Sequence, residues 1–194
     1  GYLGMDNPPI EKSKNIVSLL MALTYFITAS IQAYNDKKLL EKLSYVDSMS
    51  GLKNRNAYIL DIDNYKNNKE NQKVGVVYID INRLKEINDN FGHLSGDKTI
   101  VTTAKCISKI FCEYNVYRTG GDEFVIICYD IEEKEFSTKV EELLALFEEV
   151  KISVSLGKQW LLKCADINSL IALADQQMYS AKKDTYIKNK ESHR

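Results

Sequence analysis

Three acidic residues of this sequence occupy positions from which they could share a cation. Asp80 ends an apolar run rich in β-branched residues, 74–79, which predicts a strand buried on both faces. Asp122 and Glu123 follow a glycine pair at 120–121 between two β-rich runs, which predicts a hairpin with a tight turn of positive φ. If the hairpin lies beside the strand, the three carboxylates converge and repel one another unless cations bind between them. Hard oxygen ligands suit Mg²⁺, so the pattern indicates metal-assisted phosphoryl transfer.

The same residues allow a simpler interpretation, in which Asp122 and Glu123 are solvated carboxylates of an ordinary turn. The spacing alone favours this simpler interpretation. Gly120 and Gly121 carry no side chains, so a ligand could approach the backbone there.

The composition is that of a folded protein with balanced charge. The 194 residues are 44% hydrophobic and 27% charged, which excludes a disordered chain. There are 26 basic and 27 acidic residues, for a net charge of -1, and this balance argues against a nucleic-acid partner. The four cysteines show no CxxC spacing, so we expect buried thiols in a reducing compartment and a cytoplasmic location.

The first 44 residues are expected to carry signals rather than chemistry. Residues 1–10 resemble the last strand and exit turn of a GAF-type sensor domain, although an unstructured chain end is the alternative. Residues 11–44 contain no Gly or Pro and have apolar residues at helical spacing, which predicts one long helix. The charge-free stretch 16–34 approaches the length of a membrane span. Its polar side chains and heptad-like spacing favour a dimer helix instead, so we expect no membrane contact.

The rest of the chain, 45–194, predicts one domain of mixed helices and strands. Asn54 is a candidate N-cap for the first of its helices. The patterns predict helices at 55–66, 83–90, 97–111, 134–150 and 169–184, and strands at 74–79, 116–119, 122–129 and 152–156.

Several motifs of this domain resemble those of one enzyme family, in the family's order. Residues 120–124 read Gly-Gly-Asp-Glu-Phe, the signature of the GGDEF family of diguanylate cyclases. The other motifs are Asp47-Ser-Met-Ser-Gly-Leu-Lys-Asn-Arg55, Asp80-Ile-Asn-Arg-Leu-Lys-Glu-Ile-Asn-Asp89, Phe91-Gly-His-Leu-Ser-Gly-Asp97, Tyr117-Arg118, Ser155-Leu-Gly157 and Ala174-Asp-Gln-Gln-Met-Tyr-Ser-Ala-Lys182. The resemblance covers roughly residues 45–186.

The resemblance implies an α/β fold of the α+β type. Its five-stranded, mostly antiparallel central sheet is flanked by helices and is similar to the palm of nucleotidyl cyclases. The implied reaction condenses two GTP molecules into cyclic di-GMP and two pyrophosphates. Each domain would hold one GTP, so two domains would face each other in a homodimer joined by the N-terminal helix, under control of an upstream sensor domain in a longer chain.

The resemblance also implies roles for individual residues. The metal ligands would be Asp80, the Ile81 carbonyl, Asp122 and Glu123, holding two Mg²⁺ or Mn²⁺ ions. Glu123 would also help to deprotonate the attacking 3′-hydroxyl. The further substrate contacts would be Asn88 and Asp97 as guanine readers, Lys85 and Lys182 on phosphates, and Gly120 and Gly121 in the signature loop. Without the family, Asn88 would be interpreted as a loop cap and Asp97 as a helix N-cap.

Departures from the family pattern limit what can be carried over. Tyr186 stands where an arginine normally contacts phosphate, so GTP affinity is expected to be lowered. The inhibitory Arg-x-x-Asp reads Phe111-Cys-Glu-Tyr114 here, so we expect no product inhibition through that site. The alternative function is a weak or inactive domain that binds GTP as a regulatory module.

Overall fold

The structure, a computed structural model, describes residues 13–67 and 72–191. These ranges contain α1 (Ser13–Tyr45), α2 (Arg55–Asn67), β1 (Gln72–Ile81), α3 (Leu84–Phe91), α4 (His93–Ile110), β2 (Asn115–Arg118), β3 (Glu123–Tyr129), α5 (Glu133–Glu149), β4 (Val154–Cys164) and α6 (Ile167–Glu191). The predicted order of helices and strands is confirmed. The sensor-like residues 1–10 lie outside the described part of the chain.

The chain divides into two compact units, with the boundary between Leu43 and Ser44. In the first unit, α1 exposes apolar side chains along its described length. Within it, Ile16–Leu40 is long and apolar enough to cross a bilayer, with a mean hydropathy of 1.7. Length and composition alone are equally compatible with a helix that packs against protein.

The second unit is built on an antiparallel sheet of strand order β2-β3-β1-β4. The expected mixed fold with an antiparallel sheet is confirmed, but the number of strands is wrong: the described residues form four strands, not five. Beside the edge strand β2, Lys53 makes an isolated bridge to Tyr117 instead of a fifth strand. β4 also continues eight residues beyond the predicted end at 156, to Cys164, and so leaves no turn where another strand could fold back.

Helices cover both faces of the sheet, because the strands alternate apolar residues toward two separate cores. Val77 and Ile79 of β1 contribute to one core, and Val74 and Val76 contribute to the other. The first core contains residues of α4 and α5, and the second contains residues of α2 and α6. The prediction that β1 is buried on both faces is therefore confirmed.

Two helix starts are decided by local chemistry. At α2 the Asn54 side chain accepts a hydrogen bond from the Ala57 backbone N–H at 3.1 Å, as expected of an N-cap. α4 begins at His93 rather than at the predicted residue 97, because Gly92 alone, with φ 81°, separates it from α3. Asp97 therefore lies inside the first turns of α4, and its interpretation as an N-cap is wrong.

Gly157 of β4 allows α6 to pack directly on the sheet. A Cβ at this position would lie 1.9 Å from the Ala174 carbonyl oxygen and 2.5 Å from the Met178 nitrogen. Both are backbone atoms of α6, so the clash could not be relieved by rotating a side chain. The close approach fixes the distance between β4 and the helix.

We expect Gly157→Ala to destabilise the domain by about 1–3 kcal/mol or more, because α6 must move away from β4. The measurement is the free energy of unfolding in urea. Gly121→Ala is the matched control, since a Cβ there meets nothing within 4 Å. Equal stability of the two variants would contradict the packing argument.

Candidate active site

The pairing of β1 with β3 brings the predicted carboxylates together. Asp80 lies directly opposite Glu123 in the antiparallel register, and the Ile81 N–H donates to the Asp122 carbonyl oxygen at 3.0 Å. Asp80, Ile81 and Glu123 thus meet at one end of the sheet, with Asp122 in the adjoining turn. Asp80 and Glu123 are therefore neighbours, and the charge of Asp122 acts on both, while the binding of a cation between them stays a prediction.

Asp80 is a buried carboxylate with one paired oxygen. Its residue is only 3% exposed, and Lys182 of α6 donates from Nζ to its Oδ2 at 2.7 Å. Its second oxygen, Oδ1, is buried and accepts no hydrogen bond from the described residues. A buried carboxylate oxygen without a partner is costly, and a cation would satisfy it.

Burial and like charges shift the acids toward protonation. Burial raises the pKa of Asp80, opposed by the Lys182 hydrogen bond and reinforced by the charge of Asp122. Burial also raises the pKa of Glu123, and the negative charges of Asp122, Asp80 and Asp175 add to the effect. Such crowding of acidic groups is relieved when a cation binds between them.

The oxygen donors of this site fit a hard divalent cation such as Mg²⁺ or Mn²⁺. Oδ1 of Asp80 has no hydrogen-bond partner among the described residues, and the Glu123 carboxylate lies among other negative charges. Both groups are oxygen ligands that a divalent cation would accept. Within the described ranges, no three His, Cys, Asp or Glu side chains stand close enough to enclose an ion by themselves. An ion here would therefore need further ligands from water or substrate phosphates.

The glycines of the signature loop do not adopt the predicted turn. Neither Gly120 nor Gly121 has a φ in the left-handed region, so the expectation of a positive-φ primed turn is wrong. A Cβ on Gly120 would instead lie 2.8 Å from the Glu123 carboxylate, so a larger residue there would displace that carboxylate. The loop is held by Arg118, whose Nη2 donates to the Gly121 carbonyl at 2.7 Å.

Arg118 also connects this loop to the first turn of the domain. Its Nη1 donates to Asp47 Oδ1 at 3.0 Å, and the same carboxylate accepts the Ser50 backbone N–H at 2.8 Å. Only 11% of the Arg118 side chain is exposed, so the pair is shielded from screening by salt. The opening motif and the signature therefore share one ion pair.

The remaining predicted residues lie on the helix pair α3–α4 and are not joined to the carboxylates. Lys85 is exposed on α3 and makes no hydrogen bond or ion pair with the described residues. Asn88 of α3 packs against Gly96 of α4, where a Cβ would lie 2.0 Å from its Oδ1. Asp97 is half-buried on α4 and forms no hydrogen bond with Asn88. The Tyr186 side chain lies outside the described part of the chain.

Three supporting residues were missed by reasoning from the sequence. Asn82 is buried beside Ile81, where its Oδ1 accepts from Ser155 Oγ at 2.7 Å and its Nδ2 donates to Ser153 Oγ at 3.0 Å. Gly96 makes room for Asn88, and Asp175 adds negative charge near Glu123. The signal for Asn82 was an amide directly after a buried strand; nothing in the sequence places Asp175 near Glu123.

Comparison with known proteins assigns the chain to a family. Residues 44–186 match the family model described as "Diguanylate cyclase, GGDEF domain". The chain belongs to the GGDEF family. Diguanylate cyclase DgcN of Escherichia coli (strain K12) is 30% identical over 164 residues, which are 78% of this chain and 40% of that protein. Cyclic di-GMP phosphodiesterase PdeR of the same strain is 33% identical over 156 residues, 74% of this chain and 23% of that protein.

Solved structures share the GGDEF fold. The coiled coil and GGDEF domain of DgcB from Caulobacter crescentus, in complex with c-di-GMP, has a TM-score of 0.74 at 22% identity and covers 85% of this chain and 95% of that one. Diguanylate cyclase SiaD of Pseudomonas aeruginosa, in complex with its activator SiaC, has a TM-score of 0.66 at 20% identity. The match covers 90% of this chain and 72% of that one. The GGDEF chain spans less than half of the curated relatives DgcN and PdeR.

The raised pKa of Glu123 predicts a pH-dependent stability in metal-free buffer. Just above pH 4.5, the ordinary value for this group, Glu123 binds more protons in the folded domain than in the unfolded chain, so its contribution to the free energy of unfolding falls as pH rises. We expect Glu123→Gln to be more stable than the parent above this pH, and the difference to vanish below it.

Urea unfolding at several pH values in the presence of EDTA measures this difference. Glu142→Gln, on the exposed face of α5, is the matched control and should follow the parent throughout. A Glu123→Gln advantage that stays constant with pH would contradict the electrostatic cause, and so would an advantage that grows as the pH falls.

Proposed function

We propose that this GGDEF domain is an active diguanylate cyclase, which condenses two GTP molecules into cyclic di-GMP. The observation that carries the proposal is the placement of Asp80 opposite Glu123, with one oxygen of Asp80 buried and unpartnered. In each of two equivalent steps a 3′ oxygen bonds to the α-phosphorus of the other GTP, and the bond to the pyrophosphate oxygen breaks. The DgcN similarity supports this assignment.

Each acidic residue has a distinct task in the proposed mechanism. Asp80, the Ile81 carbonyl, Asp122 and Glu123 would hold two divalent ions, Mg²⁺ or Mn²⁺. When bound, such ions would offset the negative charge of the triphosphate. Glu123 would also receive the proton of the attacking hydroxyl, because its register position beside Asp80 places its carboxylate at the proposed metal site.

The polar residues outside the acid cluster would bind and orient the nucleotide. Lys182 reaches Asp80 from α6 and would turn toward a phosphate once cations offset the carboxylate charge. Lys85 is exposed on α3 and would contact a phosphate. Asn88 and Asp97 would bind guanine, since a carboxylate accepts both N–H groups of the guanine edge. The backbone at Gly120 and Gly121 leaves space for the substrate.

The reaction requires a homodimer, because one domain holds one GTP. The exposed apolar residues of α1 offer a surface for such pairing, and the DgcB structure contains a coiled coil with its GGDEF domain. An upstream sensor would then control how two active sites face each other. The domain would act in the cytoplasm, where GTP is available.

A second candidate function is a GTP-binding regulatory module without turnover. PdeR, a relative that is named a phosphodiesterase, favours this alternative because it matches 74% of this chain. The replacement of an expected arginine by Tyr186 points in the same direction. The intact carboxylates at 80, 122 and 123 favour the cyclase.

We expect Mg²⁺-dependent conversion of GTP into cyclic di-GMP at a rate that rises faster than linearly with protein concentration. Products are identified by mass spectrometry over a series of protein concentrations. Asp122→Asn should lower the rate by at least about 100-fold. Asparagine lacks the negative charge that would hold the cations, and the cations would stabilise the transferred phosphorus. Glu142→Gln is the control and should leave the rate unchanged. Metal-dependent GTP binding without any product would instead identify the regulatory module.

We expect the product to inhibit only by competing with GTP. In this chain the position of the family's inhibitory arginine is Phe111, which is fully buried, and Tyr114 bonds to Glu135 Oε1 at 3.2 Å. Neither offers a cation for a phosphodiester. Initial rates at several GTP and cyclic di-GMP concentrations distinguish competitive from noncompetitive inhibition. Noncompetitive inhibition at low micromolar product would show that a separate product site exists.

A further inference from the structure

A cavity of about 460 Å³ lies beside the candidate active site but is lined by different side chains. Its walls are the turn 81–83 after β1, one face of α3, one face of α4, and the segment 150–153 between α5 and β4. Of the predicted site residues only Ile81 contributes to it; Asn88 and Asp97 do not line it. Its volume falls within the range of about 300–1,000 Å³ that is typical of small-molecule sites.

The charge of this cavity favours an anion. Three basic side chains line it, Arg83, Lys98 and Lys151, against one acidic side chain, Glu86. Glu86 contacts only Arg83 among these, at 3.8 Å between Oε2 and Nη1, and is more than half exposed. The cavity therefore retains positive charge from Lys98 and Lys151 in a chain whose overall charge is nearly balanced.

The backbone around the cavity is held in an unusual conformation. The described residues contain three non-glycine positions with positive φ, and two of them, Arg83 at 58° and Lys151 at 57°, line the cavity. The left-handed region costs about 1 kcal/mol or more for such residues, which are found there at helix C-caps as well as at functional sites.

Lys151 occupies a position where glycine is the usual residue. It follows α5 in a Schellman cap, in which its N–H bonds the Glu148 carbonyl at 3.1 Å and the Ile152 N–H bonds the Phe147 carbonyl at 2.9 Å. A glycine would form the same bonds with less strain. The lysine therefore adds nothing that the cap needs, and its side chain contributes a cation to the cavity instead.

Apolar side chains complete the lining. Ile87 and Phe91 of α3 face the cavity together with Val150. Phe91 is 73% exposed and Val150 is 37% exposed, so both could lose contact with water if a flat apolar group packed on them. The cavity therefore offers basic side chains for an anionic group and, next to them, exposed apolar side chains on which an aromatic ring could pack.

We propose that this cavity is a second ligand site of the GGDEF domain, and that it binds a small organic phosphate carrying an aromatic ring. The phosphate contacts Lys98, Lys151 and Arg83, and the ring packs against Phe91. The site adjoins the turn that follows Asp80, so its occupant contacts the same backbone segment as the candidate active site. The proposal does not rest on turnover, because binding is measured without GTP or metal.

The probe for this site is naphthyl phosphate, titrated into the ¹⁵N-labelled chain and followed by NMR. We expect saturable shift changes in the amides of residues 83, 87, 99 and 151. Naphthol, which lacks the phosphate, and inorganic phosphate, which lacks the ring, should each bind at least about tenfold more weakly. Shift changes confined to the amides of 88 and 97 would place the probe at the predicted guanine site and overturn the proposal.

Two variants test the cations of the cavity. Lys98→Gln and Lys151→Gly should each weaken probe binding by about tenfold. Lys151→Gly should also keep or raise the melting temperature, since glycine relieves the left-handed strain, so a loss of binding cannot be attributed to unfolding. Lys109→Gln, on α4 but outside the cavity, is the matched control and should bind like the parent. Unchanged binding in both test variants would overturn the proposal.

Discussion

The antiparallel register between β1 and β3 is the constraint on which the rest of the site depends. It sets Asp80 opposite Glu123, and the Ile81–Asp122 hydrogen bond closes the ladder at the same end. A slip of one residue would turn every side chain of one strand to the other face of the sheet. In β1, Val77, Ile79 and Ile81 face the core of α4 and α5, so such a slip would turn the carboxylate of Asp80 into that apolar core. The cost of burying this carboxylate favours the observed alignment of the acids.

The acids are held together at an electrostatic cost that the fold tolerates. Burial and mutual repulsion raise the pKa of Asp80 and Glu123, and Lys182 offsets only part of this effect. Lys182 can reach Asp80 because Gly157 allows α6 to pack directly on β4. The electrostatic cost would fall if a cation bound between these acids.

The sequence predicted the sheet and its acids well because those features are local. The β-rich runs and the Asn54 cap follow from short patterns, whereas the pairing of the hairpin with β1 entered the prediction only as a condition. The failures have non-local causes. The family's fifth strand is absent from the described residues, β4 continues past its predicted end, and Asp97 lies inside α4 because Gly92 alone separates two helices. The contribution of Asp175 to the site depends on how α6 packs, which no local pattern specifies.

The ion pair between Asp47 and Arg118 defines where the functional unit begins. Arg118 donates a hydrogen bond to the Gly121 carbonyl of the signature loop. The carboxylate that pairs with Arg118, Asp47, lies more than seventy residues earlier in the chain. The backbone just before Asp47 is fixed as well, since the Asn54 side chain donates to the Ser44 carbonyl at 3.0 Å. A shortened version of the protein that starts after Asp47 would keep every side chain of the candidate active site and still lose the ion pair that anchors its signature loop. The smallest fragment worth expressing for crystallography or assay therefore starts at or before Ser44.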